Sequence, residues 1–558
     1  MRSAGQLTLV RYCARGTIQV PVFLFIGFGH KEKGTYMTEA QNNVAAFGYD
    51  NLPEHVLAAG YDRSNVTPGI VHIGPGGFWS AHMAAYVHDY MAKTGDLNWG
   101  FVVASLRSPG TINALRAADH RFVLVEREEQ ERQASVLTPV VASIFAPENP
   151  LALVDYIAAA GTKIVSMTIT NKGYYCTDAE GNLDASHHDI VHDLDYSIEN
   201  RVGNDAPKTI HWYLKAGIEK RMLEALASGV DRPLTVLSLD NVPQNSKSLK
   251  TAFIQYVEAS ADNSAALIDW IEANVDFLTT LVDRITPEVN HQFRKDMEEY
   301  LGFDAGVVVG TEMFRQLVVE RGRFPMPNWE TVGVEVVENI GSYWELKFLG
   351  LNAAHQVPAM VGPRLGATLI HEACLIPEIG SLLELFHREL GVILGDDLMG
   401  VYGAKIQKRF KDSAPMDTIL RVGARGTSKA SERIAYAVER ALVLTEGEKV
   451  LKAPTFVFAC WLLNLGNTDE FGNTFQQSDV EQPKLTGIHQ EVLAWTRSEA
   501  RDTHVLAHNL RSIGEVVRDD RFVVMAGKTA FLTELALALT ELTTVGTKAA
   551  INNLLARV

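Results

Sequence analysis

Cysteine is scarce in this chain: four residues among 558, Cys13, Cys176, Cys374 and Cys460. They are widely scattered and form no CxxC pair, which excludes a disulfide framework and a zinc knuckle. A reducing compartment follows, and a cytoplasmic location is the expectation. Long apolar runs are lacking too. None reaches the roughly 18 residues that a membrane-crossing helix requires, so no membrane partner is expected. Positive charge is in deficit: 51 Lys plus Arg stand against 67 Asp plus Glu, a formal net charge of −16. That balance argues against a nucleic-acid partner gripped through a broad basic surface. It leaves room for a local basic pocket around an anionic cofactor. Repeats and low-complexity tracts are absent.

What remains is an ordinary globular composition, 47% hydrophobic and 21% charged. At about 100–200 residues per domain, the length implies more than one domain. Residues 1–36 carry Arg2, Arg11, Arg15, Lys31 and Lys33 against a single acid, Glu32. They read as a disordered leader, with the working protein beginning near Met37. From 50 to 310, strand-like runs at 69–74, 99–105, 163–170 and 234–239 alternate with helical patterns at 80–93, 109–118, 150–160 and 208–229. Alternation of this kind predicts an α/β fold, a parallel sheet covered on both faces. From about 340 the texture becomes helical, at 343–356, 380–394, 429–444, 503–517 and 529–556. The expected division is therefore an α/β nucleotide-binding domain over 37–340 and a mostly α-helical domain over 341–558.

The run Ile70-Val71-His72-Ile73-Gly74-Pro75-Gly76-Gly77-Phe78 is a strand ending in a glycine turn, with a helix expected from about Ser80. Glycines let backbone approach a pyrophosphate, and a helix N-terminus supplies free N–H groups. The pattern is GxGGF, an incomplete form of the GxGxxG fingerprint. The second strand ends at Ser105, and Arg107 follows where an NAD site usually places an acid. A basic residue there suits a 2′-phosphate. NAD and NADP both remain open.

The segment Tyr343 to His355 carries Lys347, Asn352 and His355. On a regular helix these lie at about 0°, 140° and 80°, within a rise of roughly 12 Å. A buried lysine loses proton affinity through desolvation and can accept the proton of a secondary alcohol. An asparagine amide can donate to the resulting oxyanion without carrying charge.

These residues, as K-x4-N-x2-H, resemble the motif of the polyol-specific long-chain dehydrogenases, the family of the mannitol 2-dehydrogenase type. Five further blocks match in order: His72 to Phe78 with His82, VSMTITNKGYY at 165–175, TVLSLDNVPQN at 235–245, LVDRITP at 281–287, and the R-x7-K pair Arg421 and Lys429. The resemblance implies a Rossmann-type N-terminal domain, a helical C-terminal domain, and metal-free interconversion of a sugar alcohol and its ketose with a nicotinamide cofactor. It implies Lys347 as general acid and base, Asn241 and Asn352 as an oxyanion hole, and His355 positioning the reacting oxygen. Asp283, Arg421 and Lys429 would contact substrate. Gly74, Gly76, Gly77, Phe78, Arg107 and Thr170 would hold the cofactor. Where the family often has Glu three residues before the lysine, Trp344 stands here. A monomer or small homo-oligomer is expected. A hexuronate reductase such as fructuronate reductase, in the same family, and a non-catalytic dinucleotide sensor are the alternatives. Tyr343 with Lys347 also fits the Y-x3-K pair of short-chain dehydrogenases, but 269 residues separate Gly74 from Tyr343, too many for that family.

Overall fold

A six-stranded, all-parallel sheet forms the centre of the first part of the chain. Its strands are β1 (Pro68–Ile73), β2 (Gly100–Ser105), β3 (Val140–Phe145), β4 (Ile164–Met167), β5 (Leu234–Ser238) and β6 (Val275–Leu278). They lie in the order β3-β2-β1-β4-β5-β6. This is the doubly wound dinucleotide-binding order, whose ligand crevice opens beyond the carboxyl ends of the strands, between β1 and β4. The computed structural model describes residue 49 and residues 51–558, apart from 130, 179–180, 201–204, 261–263, 288, 290 and 414–415. The leader inferred for residues 1–36 lies outside the described residues.

Central parallel strands are buried on both faces, so they are apolar throughout instead of alternating. Val71, Ile73, Val102 and Ala104 pack on one face, under the helices Pro150–Ala158, Ile210–Ser228 and Asn245–Ala259. Ile70, Phe101 and Val103 pack on the other, under Met83–Thr94 and Gly110–Ala117. Each of the four expected strand windows contains a strand of this sheet. The window 163–170 ends early, at Met167: Thr168 still donates its N–H to the Ile73 carbonyl at 3.0 Å, but the N–H groups of Ile169 and Thr170 turn to the Asp240 carboxylate. Strands β3 and β6 were not anticipated. Nor were two smaller sheets: Val56–Leu57, Glu131–Leu137, Phe122–Glu128 and Val308–Glu312 in one, and Thr280–Asp283, Gln316–Glu320 and Glu335–Val337 in the other.

Among the described residues no strand follows Val337. The helical windows stand, with two corrections. The window 529–556 is two helices, Thr529–Thr544 and Thr547–Ala556, parted at Gly546, whose φ of 85° no helix accommodates. The windows 343–356 and 429–444 are not regular. α-Helical Gly341–Lys347 runs into a π-helical turn, Phe348–Ala353, before Gln356–Val361. Gly426–Lys429 runs into a second π turn, Ala430–Ala435, before Tyr436–Leu444. A π turn widens the helix and shifts the register of the residues beyond it, so the angles of a regular wheel do not apply to Asn352 and His355. The described residues form one unit. Arg409 on the helix Asp396–Lys411 joins the helical region to Asp283 and Glu312.

Candidate active site

The glycine turn leaves β1 with Gly74 at φ 87°. A Cβ there would lie 2.4 Å from the Thr168 carbonyl oxygen, so only glycine lets the turn close on β4. Gly76 and Gly77 face the opposite condition. A Cβ at either would meet nothing nearer than 3.8 Å, so their backbone lies open, as approach of a pyrophosphate requires. The helix that follows, Gly77–Ala81, breaks at His82, whose Nε2 donates to the Gln316 carbonyl at 2.7 Å. Phe78 stacks on the His82 ring. Beneath the turn His72 is fully buried, hydrogen-bonded to Ser166 and Thr168, and desolvation pushes its pKa down to about 3. It is a neutral strut of the turn.

Beside the turn lies a cleft lined by Gly74, Arg107, Thr168, Ile169, Tyr175 and Lys208. Its floor is held by Asp240, just past the end of β5. The Asp240 carboxylate accepts from the backbone N–H of Ile169 at 3.2 Å and of Thr170 at 2.8 Å, and from the Tyr174 hydroxyl at 3.0 Å. Thr170 has φ 63° and ψ 165°, a strained conformation for a residue with a Cβ. Such strain persists only where surrounding contacts over-determine it, and it concentrates at functional loops. These residues fit a dinucleotide: an open glycine backbone, a strand-end cleft and a clamped loop.

The next residue, Asn241, connects this cleft to the lysine. Lys347 Nζ donates to Asn241 Oδ1 at 2.7 Å. Lys347 is only 6% exposed. Desolvation lowers its pKa to about 8, against the opposing pull of Asp283, with Arg409 and Arg433 lowering it further. Asp283 is 7% exposed, and both its oxygens are taken by Arg409, at 2.7 and 3.3 Å. Arg409 also grips Glu312 through Nε at 3.0 Å and a terminal nitrogen at 2.7 Å. One arginine thus pairs with two buried carboxylates. The same segment touches the glycine turn, since Thr286 Cγ2 is the nearest atom to a Cβ built on Gly77.

The second π turn supplies a cluster of cations. Arg433, within it, donates to the Asn352 carbonyl in the first π turn at 3.0 Å. Lys429 donates to the Val422 carbonyl at 2.5 Å, and burial with neighbouring arginines pushes its pKa down to about 7. Arg421 is paired with Asp417 through two contacts at 2.6 and 2.5 Å. His355 packs against the Phe410 ring at 4.0 Å and is held well below its ordinary pKa by burial and by Arg409, Arg433, Arg421 and Lys429. Arg409 and Arg433 act on Lys347 and His355 alike, so these groups form one electrostatic cluster. Tyr343 instead pairs with Glu335, away from Lys347, so the Y-x3-K match has no structural counterpart. Trp344 stacks on Phe348 at 4.5 Å, and Glu345 faces Arg440 at 3.7 Å.

The structure therefore brings Lys347, Asn241 and Asp283 together, with Asn352, His355, Arg421 and Lys429 around them. Gly74 and Arg107 line the neighbouring cleft, with Gly76, Gly77, Phe78 and Thr170 at the turn and loop beside it. Three residues were missed. Asp240 had a local signal, an acid directly after a buried strand. Arg409 and Arg433 had none, because their partners lie in other elements. Among the described residues, one group has metal-ligand proximity, the consecutive His187, His188 and Asp189. None of the lysine's neighbours belongs to it.

A doubly wound sheet, an open glycine turn and a dry lysine beside the strand-end cleft define the class: a Rossmann-fold oxidoreductase with a helical C-terminal region. Residues 68–331 match the mannitol dehydrogenase Rossmann domain, and residues 339–528 match the mannitol dehydrogenase C-terminal domain. The chain belongs to the mannitol dehydrogenase family. It is 29% identical over 503 residues to a mannitol 2-dehydrogenase of Pyricularia oryzae, covering 88% of this chain and 93% of that one. It is 29% identical over 435 residues to mannitol dehydrogenase DSF1 of Saccharomyces cerevisiae, covering 76% and 83%. The solved mannitol 2-dehydrogenase of Pseudomonas fluorescens, a ternary complex with NAD and D-mannitol, superposes with a TM-score of 0.73 at 26% identity, covering 91% and 99%. A substrate-free D-sorbitol dehydrogenase superposes with a TM-score of 0.75 at 25% identity, covering 90% and 98%.

Proposed function

We propose that this protein interconverts a sugar alcohol and its ketose, of the mannitol and fructose type, by metal-independent hydride transfer with a nicotinamide dinucleotide. The observation that carries the reading is Lys347: buried, hydrogen-bonded to Asn241, and with a pKa near 8. A lysine of that pKa exchanges a proton readily near neutral pH, as a general base and acid must. The bound nicotinamide supplies a hydride acceptor at C4. Lys347 takes the hydroxyl proton in oxidation and returns it in reduction. Because Asn241 Oδ1 faces the lysine, its amide nitrogen is turned away and free to donate. With Asn352 it stabilises negative charge on the reacting oxygen. His355, uncharged at neutral pH, orients that oxygen. Asp283 sets the proton affinity of Lys347 through its charge, and Arg421 and Lys429 meet substrate hydroxyls. Gly74, Gly76, Gly77, Phe78, Arg107 and Thr170 hold the cofactor. A domain division at 37–340 and 341–558 accords with the change from strands to helices after Val337.

The test is a steady-state panel of mannitol, arabinitol, sorbitol, fructose and fructuronate, run on the native protein and on Lys347→Ala. The variant should lose several orders of magnitude in turnover while still binding dinucleotide; full turnover would remove Lys347 from the mechanism. One observation favours a second reading. Lys429 and Arg433 hydrogen-bond to backbone carbonyls instead of carboxylates, and a substrate carboxylate would pair with them. Higher catalytic efficiency on fructuronate than on fructose would select a hexuronate reductase. Binding without hydride transfer across the whole panel would select a sensor.

A further inference from the structure

We infer that Arg107 and Lys208 form a clamp for a ribose 2′-phosphate, so that this chain prefers NADP(H) to NAD(H). The inference rests on the dinucleotide reading above and adds the identity of the cofactor. Its starting point is topological. β2 is the strand next to β1, with Ala104 opposite Ile73 and the Gly74 N–H donating to the Ala104 carbonyl at 2.8 Å. The residues just past β2 therefore flank the glycine turn, where the adenine ribose of a doubly wound fold lies. Ser105, Leu106 and Arg107 line the cleft there, and no carboxylate stands among them. An acid at this point would accept from the ribose 2′-hydroxyl and repel a 2′-phosphate.

The second cation comes from a distant part of the chain. Lys208, directly before the buried N-cap residue Thr209 of the helix Ile210–Ser228, lines the same cleft and also the adjoining outer pocket that Arg107 shares. Both side chains are exposed, so neither is committed to the core. Arg107 is aimed by a neutral partner: it donates to the Tyr175 hydroxyl at 2.9 Å, and that hydroxyl donates onward to Asp189 at 2.9 Å. The guanidinium is thus oriented without being directly neutralised. The two carboxylates on the outer wall each have a partner other than Arg107 and Lys208, Asp189 the Tyr175 hydroxyl and Asp205 the His192 ring. The backbone N–H groups of Lys208 and Thr209 are not available to a phosphate, because Asp193 already accepts from both, at 2.9 and 2.7 Å. Selectivity must come from the two side chains. A guanidinium fork and a mobile ammonium are the pair that a phosphate dianion recognises.

The experiment is equilibrium titration of the full chain with NADPH and with NADH, read by nicotinamide fluorescence. 2′,5′-ADP and 5′-ADP serve as competitors that lack the nicotinamide. The native protein should favour NADPH, and 2′,5′-ADP over 5′-ADP, by at least tenfold. That ratio should shrink as ionic strength rises. Arg107→Gln and Lys208→Gln should each lower the NADPH-to-NADH affinity ratio severalfold, and the double variant should bring it to one or below. Equal or tighter binding of NADH by the native protein, or an unchanged ratio in both variants, overturns the inference. Tight NADPH binding with no turnover on any polyol or ketose would sink the proposed reaction and leave the clamp standing.

Discussion

Asp283→Asn tests the site more sharply than removal of the lysine, because it changes the proton affinity of Lys347 without touching it. In the native protein, burial lowers the Lys347 pKa to about 8 while Asp283 opposes that fall. A nearby opposite charge shifts a pKa by about 1–3 units. Arg409 answers much of the Asp283 charge through its two hydrogen bonds, leaving a net effect of about 1.5 kcal/mol, or about one pKa unit. Losing the carboxylate also frees part of the Arg409 charge, which repels a proton on Lys347, so both effects have the same sign. The basic form of Lys347 drives polyol oxidation, so kcat/KM for oxidation should rise with pH and level off above about 8 in the native protein. In Asp283→Asn the inflection should move to about pH 7, one unit down. Ketose reduction needs the protonated form and should lose its activity one unit earlier as pH rises. The assay is absorbance at the nicotinamide band over pH 6 to 10. An inflection that stays in place, or moves upward, would refute the electrostatic coupling of Asp283 to Lys347.

The same lysine should cost stability. Its pKa is 10.5 unfolded and about 8 folded, so the unfolded chain binds more protons between those values and stability rises with pH across that window. Lys347→Met should therefore abolish turnover yet raise the melting temperature at pH 7, by up to about 3 kcal/mol of stability; a lower melting temperature would contradict the burial cost. Gly74→Ala places a Cβ 2.4 Å from the Thr168 carbonyl at a φ of 87°, and should cost about 2 kcal/mol or more together with dinucleotide affinity. Unchanged melting and NADH fluorescence would show that the turn tolerates a side chain. EDTA should leave hydride transfer intact, because Asp283, the carboxylate that acts on Lys347, is already paired with Arg409, as is Glu312; loss of activity restored by zinc would overturn the metal-free mechanism.

The apolar runs of β1, β2, β4 and β5 determined a parallel sheet by themselves, because a strand buried on both faces must be apolar along its length. The glycine turn was equally legible, since positive φ at Gly74 leaves glycine as the residue of choice. Other elements gave no such signal. The helix Lys452–Asn464 is buried on every side from Ala453 onward and so lacks the 3.6-residue period that marks an amphipathic helix. The strand Thr280–Asp283 is four residues long and takes its partner, Gln316–Glu320, from more than thirty residues away. Lys347, Asn352 and His355 were named from their spacing, but the regular wheel that put them on one face is interrupted by a π turn.

Sequence alone thus settled which chemical groups were present and which local conformations they favoured, because those depend on neighbours along the chain. Only the tertiary structure decided their protonation and pairing. The depressed pKa of Lys347, the pairing of Asp283 and Glu312 with one arginine, and the capture of the Thr170 loop by Asp240 all arise between residues far apart in the chain. Desolvation and Coulomb interaction depend on distance in space, which no local pattern of residues encodes.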